Sequence, residues 1–171
     1  AAPSPSATPR RVLIRLPLLR RTDAHEQPGL RLRRCILHAP QVQGFFRIPV
    51  DDLYSLPVLC DAIAAKDLGD LGVVAPDAGF AKKAREWANR LQAPTAIADK
   101  RRVDHSESAE IVELIGSVDG CAALIVDDFT ISAGTLVDAA RVLVERGATA
   151  VYAAVSHGLL AGDANQRLDD S

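Results

Sequence analysis

Residues 123–137 read Ala-Leu-Ile-Val-Asp-Asp-Phe-Thr-Ile-Ser-Ala-Gly-Thr-Leu-Val, and no other run constrains the chain as much. An apolar stretch stops at two adjacent carboxylates, Asp127 and Asp128. A turn of small residues follows, Ser132, Ala133, Gly134 and Thr135, and then apolar residues recur at helical spacing. The order predicts a strand, a charged loop and a helix N-terminus in series. Such a turn aims backbone N–H groups and the positive end of a helix dipole at an anion, usually phosphate. The two aspartates beside it can hold hydroxyls or a hydrated divalent cation. A phosphate cradle next to a carboxylate pair suggests a phosphorylated sugar. The plainer alternative is a helix N-cap, because Asp, Ser and Thr are common there with no ligand at all. A cap needs one such residue, and here two acids precede an Ala-Gly-Thr turn.

The rest of the chain places this run in a fold. Leu71–Ala75, Thr95–Ala98, Ala122–Val126 and Ala148–Val155 read as buried strands, and Cys35–Leu37 as a short one. Between them lie helical patterns: Asp51–Ala65, containing Pro57; Gly79–Leu91; and Ser132–Arg146, stopped by Gly147. In the second of these, Phe80, Ala84, Trp87, Ala88 and Leu91 keep helical spacing, and Lys82, Lys83 and Arg85 are expected to face water. In the third, Leu136, Ala140, Leu143 and Val144 form the apolar face. Alternating strands and helices with continuously apolar strands predict an α/β fold, a parallel sheet flanked by helices on both faces. Residues 1–10 are Pro/Ser/Ala-rich and expected to be disordered. Residues 11–34 hold one apolar run, Val12-Leu13-Ile14, and no assignable structure.

In such sheets ligands bind beyond the carboxyl ends of the strands. Here those ends collect His38, Pro76-Asp77-Ala78-Gly79, Asp99-Lys100-Arg101-Arg102, Asp127-Asp128 and Ser156-His157-Gly158. Solubility alone does not explain such a rim. Asp77, Ala78 and Gly79 repeat the strand–loop–helix logic; alone they suit a plain turn, and paired with the first run they suit a second phosphate loop. Lys100 and Arg102 open a charged stretch reaching Ser108. It reads as a solvated charge run or as an arm whose cations stabilise a transferring phosphoryl group. His38 leads into Gln41, Gln43, Gly44, Phe45 and Phe46; a lone histidine is more often structural, and the two aromatics suit packing or a subunit contact.

With 171 residues, one domain with a real core is expected. A net charge of −2 argues against a nucleic-acid partner bound by bulk electrostatics. No apolar run approaches membrane-spanning length, and residues 1–9 lack an apolar signal core, so a cytoplasmic protein with no membrane partner is expected. Cys35, Cys60 and Cys121 lack metal-like spacing and read as three buried reduced thiols. The chain has no Met and ends within a polar helical pattern, Asp163–Ser171, which fits a fragment.

Taken together, the segments His38–Phe46, Ile48–Leu53, Pro76–Gly79, Lys100–Arg102 and Ile125–Leu136 resemble, in order, those of ribose-phosphate pyrophosphokinases, the phosphoribosyl pyrophosphate synthetases. The His-Ala-x-Gln-x-Gln-Gly-Phe-Phe run is specific to that family. The Val-Asp-Asp…Gly-Thr run is shared with type I phosphoribosyltransferases. The resemblance covers about residues 35–171. It implies a phosphoribosyltransferase-like domain at 55–171, C-terminally incomplete, preceded by a remnant of an N-terminal synthetase domain at 35–54 and an unassigned segment at 1–34.

The resemblance also implies a chemistry: transfer of the β,γ-diphosphate of ATP to the 1-hydroxyl of ribose 5-phosphate, with Mg²⁺, in a homo-oligomer. Carried over by motif, Asp127 and Asp128 would bind the ribose hydroxyls, and Ser132, Ala133, Gly134 and Thr135 the 5-phosphate. His38, Asp77, Ala78 and Gly79 would lie on the diphosphate and ATP side, with His38 and Asp77 toward the metal. Lys100 and Arg102 would be the catalytic cations. The chain departs from the family at Ile131, where an acid is usual, at Phe80, where a second glycine is usual, and at Leu37 before the histidine. An Asn-Gly-Glu loop and a Tyr-x-Arg-Gln-Asp-Arg run that contact ATP in the family are not found. Two alternatives follow: a non-catalytic regulatory relative of the synthetase, or a nucleobase phosphoribosyltransferase, against which the His38–Phe46 run argues.

Overall fold

The computed structural model describes residues 12–15, 32–35, 43–44, 46, 49–102 and 110–171. Among these described residues, eight strands and four α-helices run in the order β1 (Val12–Arg15), β2 (Leu32–Cys35), β3 (Val50–Leu53), α1 (Leu56–Ala64), β4 (Leu71–Ala75), α2 (Ala81–Leu91), β5 (Thr95–Arg102), β6 (Glu110–Ile115), β7 (Ala122–Thr130), α3 (Gly134–Glu145), β8 (Ala150–Gly158) and α4 (Ala164–Asp169). Six strands form one sheet in the order β1-β8-β7-β4-β5-β6. Its pairings are parallel except that of β5 with β6. The expected parallel α/β sheet is thus present, with one antiparallel strand at its edge. Strands β2 and β3 pair in parallel as a separate two-stranded sheet.

Two cores cover the two faces. Strand side chains alternate faces, so Ala123 and Ile125 pack with Leu136, Ala140 and Leu143 of α3. Leu124 and Val126 pack on the other side with Leu59 and Ile63 of α1 and Trp87 of α2. The apolar positions read in α2 and α3 are therefore their core faces.

Several boundaries differ from the sequence reading. Residues 51–53 are strand, and α1 begins only at Leu56, with Pro57 in its first turn, where its missing N–H costs nothing. Asp127 and Asp128 lie within strand β7, which runs to Thr130, so the expected charged loop at that point is absent. Ser156, His157 and Gly158 likewise belong to β8. Lys100 and Arg102 lie in strand β5, opposite Val112 and Glu110 of β6, and are not in a loop. Helix α3 starts at Gly134 and leaves Ser132 outside. Val12–Arg15, left unassigned above, forms the edge strand beside Tyr152–Val155. Cys60 is buried, but Cys121 is only partly so, against the expectation of three buried thiols. Residues 1–10, Ile36, Leu37, His38 and 103–108 lie outside the described residues. Among those described, no helix is long and apolar enough to cross a membrane.

Candidate functional site

The site is assembled at the carboxyl ends of β4 and β7. Strand β4 stops at Ala75, and buried Pro76 leads into exposed Asp77. The Asp77 carboxylate accepts the Phe80 N–H at 2.8 Å and so caps the 3₁₀ turn Ala78–Phe80 that opens into α2. A glycine at position 79 matters here, since a Cβ would sit 3.1 Å from Asp77 Oδ1. Asp77, Ala78 and Gly79 therefore form a capped turn beside the neighbouring strand end.

Strand alternation separates the two aspartates. Asp128 shares the face of Leu124 and Val126 and turns toward α2, where Lys83 Nζ reaches its Oδ2 at 3.1 Å. Its side chain is only 6% exposed. Lys83 does not simply face water, as periodicity suggested: it also lies over the Phe80 ring, 5.1 Å from the centroid. Asp127 shares the α3 face, and its Oδ1 accepts the Asp128 backbone N–H at 2.7 Å. Burial pushes the Asp127 carboxyl up to about 7. A side-chain hydrogen bond with Asp128 and the negative charges of Asp128 and Asp77 push the same way, while the Asp128 N–H opposes them. Three carboxylates thus feel one another at this rim, and only Asp128 is shown with an ammonium partner among the described residues.

The turn after β7 leads into a helix, as the sequence reading expected, but the helix begins at Gly134 rather than at Ser132. Ala133 takes a left-handed conformation (φ 59°) just before α3, and no side chain caps the helix. Among the described residues the cap alternative is therefore not realised, and no side chain accepts from the first N–H groups of α3. Ser132 and Thr135 are exposed, Ala133 is buried and Gly134 lies between these extremes. A Cβ on Gly134 would lie 3.6 Å from Ser132 Oγ and 3.8 Å from Arg167 Nη1. The α4 guanidinium thus stands over the N-terminus of α3, oriented by its 2.9 Å pair with Asp163. Two positive ends meeting at one spot favour an anion between them. Arg167 was not singled out from sequence; its i,i+4 acid partner was the available signal.

The structure thus brings together Asp77, Ala78, Gly79, Asp127, Asp128, Ser132, Ala133, Gly134 and Thr135 along one sheet edge. Residues 98–102 extend β5 beyond its last pairing with β4, Ala75 with Ile97, as a ribbon with β6. Lys100 and Arg102 are on that extension, and His38 lies outside the described residues. Among the described residues, no group of three or more His, Cys, Asp or Glu side chains could hold a metal ion. Asp77 is exposed at this rim, a single carboxylate of the kind that can hold a hydrated cation only together with substrate phosphates.

Residues 97–171 match the family model described as the phosphoribosyl synthetase-associated domain. The chain is 47% identical over 135 residues to the ribose-phosphate pyrophosphokinase of Corynebacterium ammoniagenes, covering 79% of this chain and 42% of that protein. It superposes on the phosphoribosylpyrophosphate synthetase of Mycobacterium smegmatis with a TM-score of 0.72 at 34% identity, covering 81% of this chain and 44% of that one. A purine phosphoribosyltransferase from Pyrococcus horikoshii, at 15% identity and TM-score 0.50, shares the fold over 74% of this chain and 77% of its own. The chain spans less than half the length of the curated relatives it matches. In sequence and in fold it is a partial-length relative of the ribose-phosphate pyrophosphokinases.

Proposed function

We propose that this chain carries the sugar-phosphate half of a ribose-phosphate diphosphokinase, whose reaction moves the diphosphate of ATP to the C1 hydroxyl of ribose 5-phosphate and releases AMP. The observation that supports it best is the N-terminus of α3, without a side-chain cap and beneath the Arg167 guanidinium, shortly after the strand that carries Asp127 and Asp128 near its carboxyl end. In this reading Ser132, Ala133, Gly134 and Thr135 receive the 5-phosphate, and Arg167 adds a cation. Asp127 and Asp128 take the ribose hydroxyls. Asp77, Ala78 and Gly79, with His38, face the diphosphate. Mg²⁺, bound with the nucleotide, would neutralise phosphate charge, with Asp77 and His38 as its protein ligands. Lys100 and Arg102 meet the charge that develops as the diphosphate transfers, and no covalent nucleophile is required. The segment 35–54 corresponds to the end of an N-terminal synthetase domain, and 55–171 to the phosphoribosyltransferase-like domain. The protein works in the cytoplasm as a homo-oligomer.

The test is calorimetric titration with ribose 5-phosphate, then Mg²⁺–ATP, with AMP release followed in the same sample. Asp128→Ala is expected to abolish ribose 5-phosphate binding and leave the fold intact; unchanged affinity contradicts the reading. A second reading, a regulatory relative without catalysis, is favoured by Ile131, which stands 52% exposed beside the phosphate turn where the family carries an acid. It predicts ribose 5-phosphate binding with no AMP release.

A further inference from the structure

We propose that Lys83 is a positioning residue of this site: from helix α2 it holds the Asp128 carboxylate in place, and the Phe80 ring braces it. The proposal rests on the sugar-phosphate reading above and deepens it. Three observations carry it. The Lys83 Nζ to Asp128 Oδ2 distance is 3.1 Å, within hydrogen-bond range. Asp128 is buried, at 5% exposure, so its charge cannot be left to water and needs a partner. Finally, Lys83 sits 5.1 Å from the Phe80 ring centroid, within the range in which a cation is drawn to an aromatic face.

Charge explains why the site needs such a residue. Asp127, Asp128 and Asp77 share one rim, and a sugar phosphate brings further negative charge to it. A carboxylate fixed by an ammonium keeps its geometry for a hydroxyl and adds no net repulsion toward the incoming phosphate. Lys83 acts on the substrate only through Asp128, so it is not a catalytic residue. Phe80 gives the family departure a role. Glycine at that position could not brace the lysine stem, whereas the ring narrows where the ammonium can go. The arrangement is local in sequence, since Phe80 and Lys83 are three apart at the start of α2, where such pairs are neighbours.

The experiment pairs a ligand-free with a ligand-bound readout. In the free protein, thermal melts of Lys83→Gln, Asp128→Asn and the double variant, followed by Trp87 fluorescence, are expected to show non-additive losses. Additive losses overturn the proposal. In calorimetry with ribose 5-phosphate, Lys83→Gln is expected to bind about tenfold more weakly, and Lys83→Arg within about threefold of the parent. Phe80→Gly is expected to fall between, at about threefold. Parent-like binding by Lys83→Gln overturns the positioning role even if the pair is coupled in the melts. If Lys83→Gln does not fold, parent-level binding by Phe80→Gly together with loss of binding in Lys83→Arg overturns it. A parent that binds no ribose 5-phosphate overturns the sugar-phosphate reading itself, and this proposal with it; that outcome is read from the parent alone.

Discussion

Asp127 shows how a single position can combine two opposing demands. It lies on β7 near the rim proposed to take a ligand, yet it is partly buried beside two other carboxylates. Its carboxyl is raised from 3.8 to about 7 by burial first, and by Asp128 and Asp77 next. The sign of the consequence follows from proton counting. Between about pH 4 and pH 7 the folded protein keeps a proton that the unfolded chain has released. Stability from this group is therefore fully present below the unfolded value and is lost as pH rises through about 7. Asp127→Asn cannot ionise and escapes that loss. Its melting temperature is expected to match the parent near pH 4, to exceed it increasingly up to about pH 7 and to hold a constant margin above. Thermal melts across that range check it, and a margin independent of pH contradicts the assignment. That Asp127 and Asp128 lie toward the carboxyl end of a buried strand was readable from the run itself. That they face opposite sides of the sheet was not, because reading them as a loop concealed the two-residue alternation of a strand.

Where elements meet, the turn before β8 shows why a glycine ended α3. Gly147 has φ 90°, and a Cβ there would run into Asp119 Oδ1. The same turn is clasped to the turn before β7: Gly120 N–H donates to the Gly147 carbonyl at 3.0 Å, and Thr149 N–H to the Cys121 carbonyl at 2.9 Å. Those bonds set the parallel register of Ala122 with Ala150, and so the height at which β7 delivers Asp127. Gly147→Ala is expected to cost about 1–3 kcal/mol in chemical denaturation, from backbone strain and collision together. Adding Asp119→Ala removes the collision and should recover part of the loss; no recovery would place the whole cost in the backbone. The glycine stop was legible because C-terminal punctuation is local. So were the helices α2 and α3 and the strand β4, whose apolar spacing is long and clean. The strand ends were not. Residues 99–102, all charged, and 127–130, opened by two acids, resemble loops by composition, and only pairing across the sheet, to β6 and to β8, makes them strands. Strand β1 was obscured because three apolar residues and Arg15 acquire meaning only beside Tyr152–Val155.

Across the whole molecule, the sheet divides labour between a packed centre and a projecting edge. Strand β7 lies between β4 and β8, and Leu124 at its centre is fully buried. Beyond Ile97, in contrast, β5 pairs with β6 alone, and Lys100 and Arg102 lie on that stretch. Under the proposed function, ground-state ligand contacts fall to the strand ends, and the cations that would meet a transferring diphosphate fall to the extension. Binding and turnover should therefore separate by location. An interaction made only as charge develops leaves substrate affinity alone and lowers the rate. Lys100→Ala is thus expected to retain ribose 5-phosphate affinity in calorimetry. In an assembly that turns over, AMP release should slow by about 10²–10³-fold, the usual consequence of removing one group that stabilises transition-state charge. Asp128→Ala should do the reverse at the first step and lose binding before any chemistry can be measured. Equal turnover in Lys100→Ala and parent would remove the ribbon from the mechanism. Equal loss of binding in both variants would show that ribbon and strand ends form a single ground-state site.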